Sequence, residues 1–275
     1  LKEHRGAIEV CRDRAQLREI LPPGGARNAV DCAMWELEAA RSGRSALEIS
    51  GIAEPRPLVT TFTLGADEPA AMAASARKMD RARAIKLKLT GDLDLDTRRV
   101  RDVRAARGDV WLGVDANQGY AIADLAALTE ALEPLGVALI EQPLARGREA
   151  DLDGFERRIP LAADESALGL DDVAGLVGRF DLVNIKLDKC GGLTEALLIA
   201  AEARRLGLGV MVGNMVGTSL AMAPAFILGQ LCDVVDLDGP TFLARDRQPA
   251  AQYRDGAIWC PAELWGTPEA AALAA

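Results

Sequence analysis

Histidine is almost missing from this chain: 275 residues contain one, His4. Zinc cages and Ser-His-Asp triads both need imidazole, so neither has much support. Positive charge is also in deficit, with 32 Lys and Arg against 41 Asp and Glu and a net charge of −9. Such a chain repels phosphate backbones and anionic membrane faces, and neither nucleic acid nor membrane is expected as a partner. No C-x-x-C pair occurs. Cys11, Cys32, Cys190, Cys232 and Cys260 are odd in number and widely spaced, which points to reduced thiols in a cytoplasm. The opening residues LKEHRGAIEV lack the charged-then-apolar order of a signal peptide. Leu206 to Cys232 carries no charge, but its glycines, Asn214 and Pro224 divide it into a short strand, a glycine-rich loop and an apolar helix.

With 49% hydrophobic residues, the chain has ample material for a large core. Apolar or β-branched runs begin at Leu58, Ala84, Val110, Val137, Leu161, Leu182, Gly209 and Val234. Helical patterns separate them, most clearly after the run at Leu182, where Leu193, Ala196, Leu197, Ala200 and Ala201 form one face and Glu195, Glu202, Arg204 and Arg205 lie off it. Eight strands alternating with helices predict an α/β fold of the parallel barrel type. A doubly wound sheet is the alternative, yet no G-x-G-x-x-G follows the first run. Residues 1–57 differ: two helices, Ala7 to Ile20 and Ala26 to Arg41, are joined by LPPGG. They bury little alone, so they pack on the barrel or belong with sequence that precedes Leu1.

In a parallel barrel the strand ends share one mouth. The third, fourth and fifth runs end in Asp115, Glu141 and Asp164. Three carboxylates from consecutive strands need a cation between them, and an all-oxygen set suits Mg²⁺; taken singly, each also reads as the point where a strand leaves the core. Lys86 and Lys88 share a face of the second run, and the sixth carries Lys186. Lysine in a buried parallel strand is costly unless paired, so Lys88 and Lys186 are candidate bases on opposite sides of the metal, with Lys86 beside the substrate; alone, Lys86 and Lys88 also read as a pair of surface lysines that snorkel to water. Asp236 and Asp238 share a face of the last run, either gripping a cationic substrate group or standing as solvated loop acids. Gly191 and Gly192 mark a turn into a helix; as a phosphate cradle they are weak.

Taken in order, IKLKL, VDANQ, IEQPL, ADES, NIKLDKCGG and DLDGP resemble the muconate lactonizing enzyme subgroup of the enolase superfamily, and within it the dipeptide epimerases, from Leu58 to about Arg247. RNAVDCAMWELEAARSG, from Arg27, resembles the last helix of that family's capping domain. The resemblance implies a modified (β/α)7β TIM-like barrel over 58–247, a helical part of an N-terminal α+β capping domain over 1–57, and a C-terminal segment, 248–275, returning to that domain. The strands and loop that open the family's capping domain have no counterpart here, so that domain is expected to be incomplete. The resemblance further implies Mg²⁺ on Asp115, Glu141 and Asp164, acid/base Lys88 and Lys186, and Asp236 and Asp238 on a dipeptide's ammonium. Lys186 is preferred to Lys189 because strand parity and motif agree. The implied reaction is a 1,1-proton transfer through an enediolate, on L-Ala-D/L-Glu from cell-wall peptide turnover. N-acylamino acid racemase, o-succinylbenzoate synthase and muconate cycloisomerase are the alternatives within the superfamily, with a non-catalytic ligand-binding barrel outside it. A homo-oligomer is left open.

Overall fold

Every apolar run forms a strand of one parallel sheet, laid down in chain order. A computed structural model describes residues 1–268. Its strands are β1 (Leu58–Val59), β2 (Thr61–Leu64), β3 (Ala84–Lys88), β4 (Trp111–Asp115), β5 (Val137–Glu141), β6 (Leu161–Ala163), β7 (Leu182–Lys186), β8 (Gly209–Gly213), β9 (Val234–Asp236), β10 (Gln252–Arg254) and β11 (Ala257–Trp259). β2 to β9 make the eight-stranded parallel sheet of a TIM-like barrel. The first run splits at Thr60, since β1 pairs antiparallel with β11 in a separate three-stranded sheet and only β2 enters the barrel.

The crossovers hold helices Pro69–Lys78, Leu93–Ala106, Ile122–Leu132, Leu193–Arg205 and Ser219–Gly229; between β5 and β7 they shorten to 3-10 turns, Glu149–Leu152 and Leu170–Leu176. β9 leads instead into a 3-10 turn, Gly239–Phe242, which makes the barrel (β/α)7β. The helix before β9 is the one the sequence marked least, because Met222 to Gly229 are all buried and it has no polar face. No helix among the described residues is long and apolar enough to cross a membrane.

Strand alternation builds the interior in layers. Trp111, Leu139, Ala162, Leu182, Met211 and Val234 form a small apolar cluster apart from the main core. Gly113 gives the Trp111 ring its room, since a Cβ there would stand 2.7 Å from it. Residues of opposite parity, among them Leu112, Val114, Ile140, Ile185 and Val212, join the main core beneath the helices. Above the apolar cluster the inward positions become charged.

The sheet's first and last strands are joined by side chains. Thr61 Oγ1 donates to Asp236, the Thr63 N–H donates to Asp238 Oδ2 at 2.6 Å, and the Leu237 N–H donates to Thr60 Oγ1 at 2.9 Å. Both aspartates therefore close the ring.

The N-terminal helices pack on the barrel. The first expected helix is two, Arg5–Glu9 and Arg14–Ile20, because Asp13 turns extended and caps the second by accepting the Gln16 N–H at 2.8 Å. Helix Gly25–Ser42 lies across the start of Leu193–Arg205: buried Arg27 donates to the Cys190 carbonyl, Asp31 accepts the Thr194 N–H at 3.0 Å, and Trp35 Nε1 donates to Thr194 Oγ1 at 3.0 Å. Glu195, expected off the buried face, is 4% exposed, held by Arg18 at 2.5 Å and Arg27 at 3.4 Å. Gly191 and Gly192 have φ of 88° and 121°, and a Cβ on Gly192 would lie 2.6 Å from Asp31 Cβ and Cγ. The paired glycines thus admit Arg27 and Asp31, and Asp31 fills the helix start where a phosphate was considered. At the other end the Ala46 N–H donates to the Gly266 carbonyl at 2.7 Å, so the C-terminal segment meets the N-terminal helices; the remainder of the expected segment, 269–275, lies outside the described residues.

Gly192→Ala should therefore lower stability by about 1–3 kcal/mol through backbone strain and a displaced Asp31, read as a fall in the urea midpoint, whereas Gly6→Ala, with open space around it, should leave that midpoint nearly unchanged.

Candidate active site

Asp115 and Glu141 are direct partners across the β4–β5 ladder, and Glu141 pairs with Ala162, two residues before Asp164. All three expected metal ligands are buried. They stand in a row at the strand ends, each turned to a lysine. Asp115 Oδ2 takes Lys88 Nζ at 2.6 Å, and its Oδ1 accepts the Asn117 N–H at 2.9 Å. Glu141 takes Lys86 at 3.0 Å and the Asn184 amide at 2.6 Å. Asp164 takes Lys186 at 2.6 Å and, through its other oxygen, Lys189. So placed, no three carboxylate, imidazole or thiolate groups among the described residues are gathered closely enough to hold a metal ion as they stand.

The donor chemistry nevertheless fits Mg²⁺: three buried, oxygen-only ligands from adjacent strands. Their crowding is visible in Glu141, which burial and the charges of Asp115 and Asp164 push up to about 7 against the pull of Lys86 and Lys186. A divalent cation would relieve that repulsion.

The lysines divide into two kinds. Lys86 is 4% exposed and ion-paired with Asp236, with Glu141 at 3.0 Å and with Asp115 at 3.8 Å. Burial alone would strip its proton; the three carboxylates more than offset this and hold it well above the usual lysine range. It is thus a counter-ion to three strand-end carboxylates inside the barrel. Lys88 and Lys186 instead end β3 and β7, four strands apart in an eight-stranded ring and so on opposite walls. Gly213 leaves room for Lys186, since a Cβ there would stand 2.9 Å from its Cε.

The strand-end aspartates are not equivalent either. Asp236 is not spare: despite burial, Lys86 and Thr61 hold it below the usual carboxylate range. Asp238 is raised to about 6 by burial and by the charge of Asp236, the mark of a carboxylate short of a counter-charge.

Two participants escaped the sequence reading. Lys189 was set aside by strand parity, but a helical turn, Leu187–Cys190, begins just after Lys186 and swings its ammonium back onto Asp164. Burial lowers its pKa despite Asp164. Asn184, two residues before Lys186 and so on the same face, was recognisable by that spacing.

The sequence profile described as enolase C-terminal domain-like matches residues 69–264, and the chain belongs to that family. It is 43% identical over 251 residues to an L-Ala-D/L-Glu epimerase of Escherichia coli (strain K12), covering 91% of this chain and 78% of that protein. It is 42% identical to an N-acetyl-D-glutamate racemase of Pseudoalteromonas sp, covering 92% and 79%. Among solved structures, the dipeptide epimerase of Methylococcus capsulatus complexed with Mg and the dipeptide L-Arg-D-Lys superposes with a TM-score of 0.84 at 34% identity, covering 93% of this chain and 75% of that one.

Because Lys86 is the cation common to three buried carboxylates, Lys86→Met should destabilise the protein by about 3–5 kcal/mol in a urea titration; Lys88→Met, which removes a side chain 34% exposed, should cost less.

Proposed function

We propose that this protein is a Mg²⁺-dependent dipeptide epimerase, an isomerase that inverts the α-carbon of a dipeptide's C-terminal residue. The observation that carries the reading is the placing of Lys88 and Lys186 on opposite walls of the barrel, with the carboxylate row between them. Inversion needs a base on one face of the α-carbon and an acid on the other. Bound by Asp115, Glu141 and Asp164, Mg²⁺ would supply positive charge to the substrate carboxylate as the α-proton leaves. Of Lys88 and Lys186, the neutral one accepts the α-proton at Nζ while the other, protonated, gives its own proton to the opposite face. Lys86 stays protonated and keeps Glu141 and Asp236 in place. Asp238, raised and short of a counter-charge, receives the dipeptide's ammonium. The same reading assigns L-Ala-D/L-Glu of cell-wall peptide turnover as the substrate, and the cytoplasm as the location.

In D₂O with Mg²⁺, the wild type should interconvert L-Ala-L-Glu and L-Ala-D-Glu, with deuterium entering the α-position. Dialysis against EDTA should stop this and Mg²⁺ restore it. Lys88→Ala and Lys186→Ala should each slow epimerisation by about 10²–10⁴-fold, while one of them still exchanges the α-proton of a single epimer. Full turnover without metal, or a wild-type rate in Lys186→Ala, would refute the assignment.

A second reading, an N-acylamino acid racemase, is favoured by the similarity to the N-acetyl-D-glutamate racemase. Its substrate has no free ammonium, so Asp238 separates the two. Asp238→Asn should lower kcat/KM for the free dipeptide by about one to two orders of magnitude, as for a lost charge-assisted hydrogen bond, with metal binding intact. Equal turnover of the free and N-acetylated dipeptide by the wild type would favour the racemase.

A further inference from the structure

The row of carboxylates has a brace that the reaction itself does not call on. Gln142 follows Glu141, is fully buried, and has φ of 37°, a left-handed backbone uncommon outside glycine. That turn takes it out of strand alternation. Its Oε1 accepts the backbone N–H groups of Asp164 at 2.9 Å and Ser166 at 3.1 Å, while its Nε2 donates to the Leu144 carbonyl and Ser166 Oγ, both at 2.8 Å. Four bonds use the whole capacity of a carboxamide. Ser166 Oγ donates onward to Glu149 at 2.6 Å. The backbone of Gln142 is held as well, its N–H by the Ala162 carbonyl and its carbonyl by the Gln118 N–H, both at 2.8 Å. The segments just after β4 and β5, which end in Asp115 and Glu141, and the segment after β6, which begins with Asp164, are thereby tied together through one residue.

We infer that Gln142 is a positioning residue that fixes the separation and orientation of Glu141 and Asp164, and through them the affinity for the divalent cation. The inference rests on the metal assignment proposed above. No apolar residue can do the same, because the Asp164 and Ser166 N–H groups would be buried without an acceptor. A glycine would relax the backbone but leave the Asp164 segment untied. Partners that orient ligands from behind typically change metal affinity by about 10- to 100-fold when removed.

The test is Mn²⁺ binding to the EDTA-treated protein, followed by electron paramagnetic resonance of the free ion, with Mg²⁺ as competitor. Gln142→Met, of similar length but without hydrogen bonds, should bind Mn²⁺ about 10- to 100-fold more weakly, and kcat should recover towards wild type at saturating metal. A purely structural role would lower the unfolding midpoint and leave the Kd unchanged; a folded Gln142→Met with a Kd within about twofold of wild type would overturn the inference. Should that variant fail to fold, Ser166→Ala carries the test. It removes one acceptor that orients the amide and should weaken Mn²⁺ binding by about threefold or more; wild-type affinity there would overturn the inference equally. A wild-type protein that binds neither ion would instead overturn the metal assignment itself, an outcome visible before any variant is made.

Discussion

An ammonium group that water scarcely reaches, on Lys86, governs the upper half of the barrel. Three carboxylates from three different strands turn to it, and burial that would ordinarily remove its proton is outweighed by their charge. Breaking such a cluster by removing one member is expensive, while its net contribution to stability is modest because every member was desolvated. Its value lies in geometry. With Lys86 fixed, Glu141 and Asp236 are fixed, and the lysines at the ends of β3 and β7 can reach the mouth from opposite walls.

Much of this was legible because period-two alternation is a strict rule in a strand. Once Lys86 and Lys88 fell on one face, and Asp115, Glu141 and Asp164 at the ends of runs, their placement at one mouth of the barrel followed from topology. What could not be read was pairing across the ring. Asp236 lies 150 positions from Lys86, and nothing in either segment announces the other. The contact of Lys189 with Asp164 was hidden for a local reason: the strand ends at Lys186, and parity ceases to apply one residue later.

The N-terminal helices show the same limit. Glu195 carries a charge and looked solvent-facing, yet Arg18 and Arg27, some 170 residues earlier, bury it. Gly191 and Gly192 mark the place where another backbone or side chain must come close, and the visitors are Arg27 and Asp31 of helix Gly25–Ser42. This one contact ties the N-terminal helices to the helix that follows the candidate base Lys186.

Thr60, Thr61 and Thr63 on one side and the Leu237 N–H, Asp236 and Asp238 on the other hold β2 to β9. β2 and β9 stand at the two ends of the strand order, and two of the groups that bridge them are carboxylates of the mouth. Asp238 already serves the Thr63 amide, so a cation arriving at that carboxylate loads the joint directly. Under the proposed function, the group that would receive the ammonium is thus also one that joins the first strand to the last, so that filling the mouth and holding the ring shut would fall to a single carboxylate.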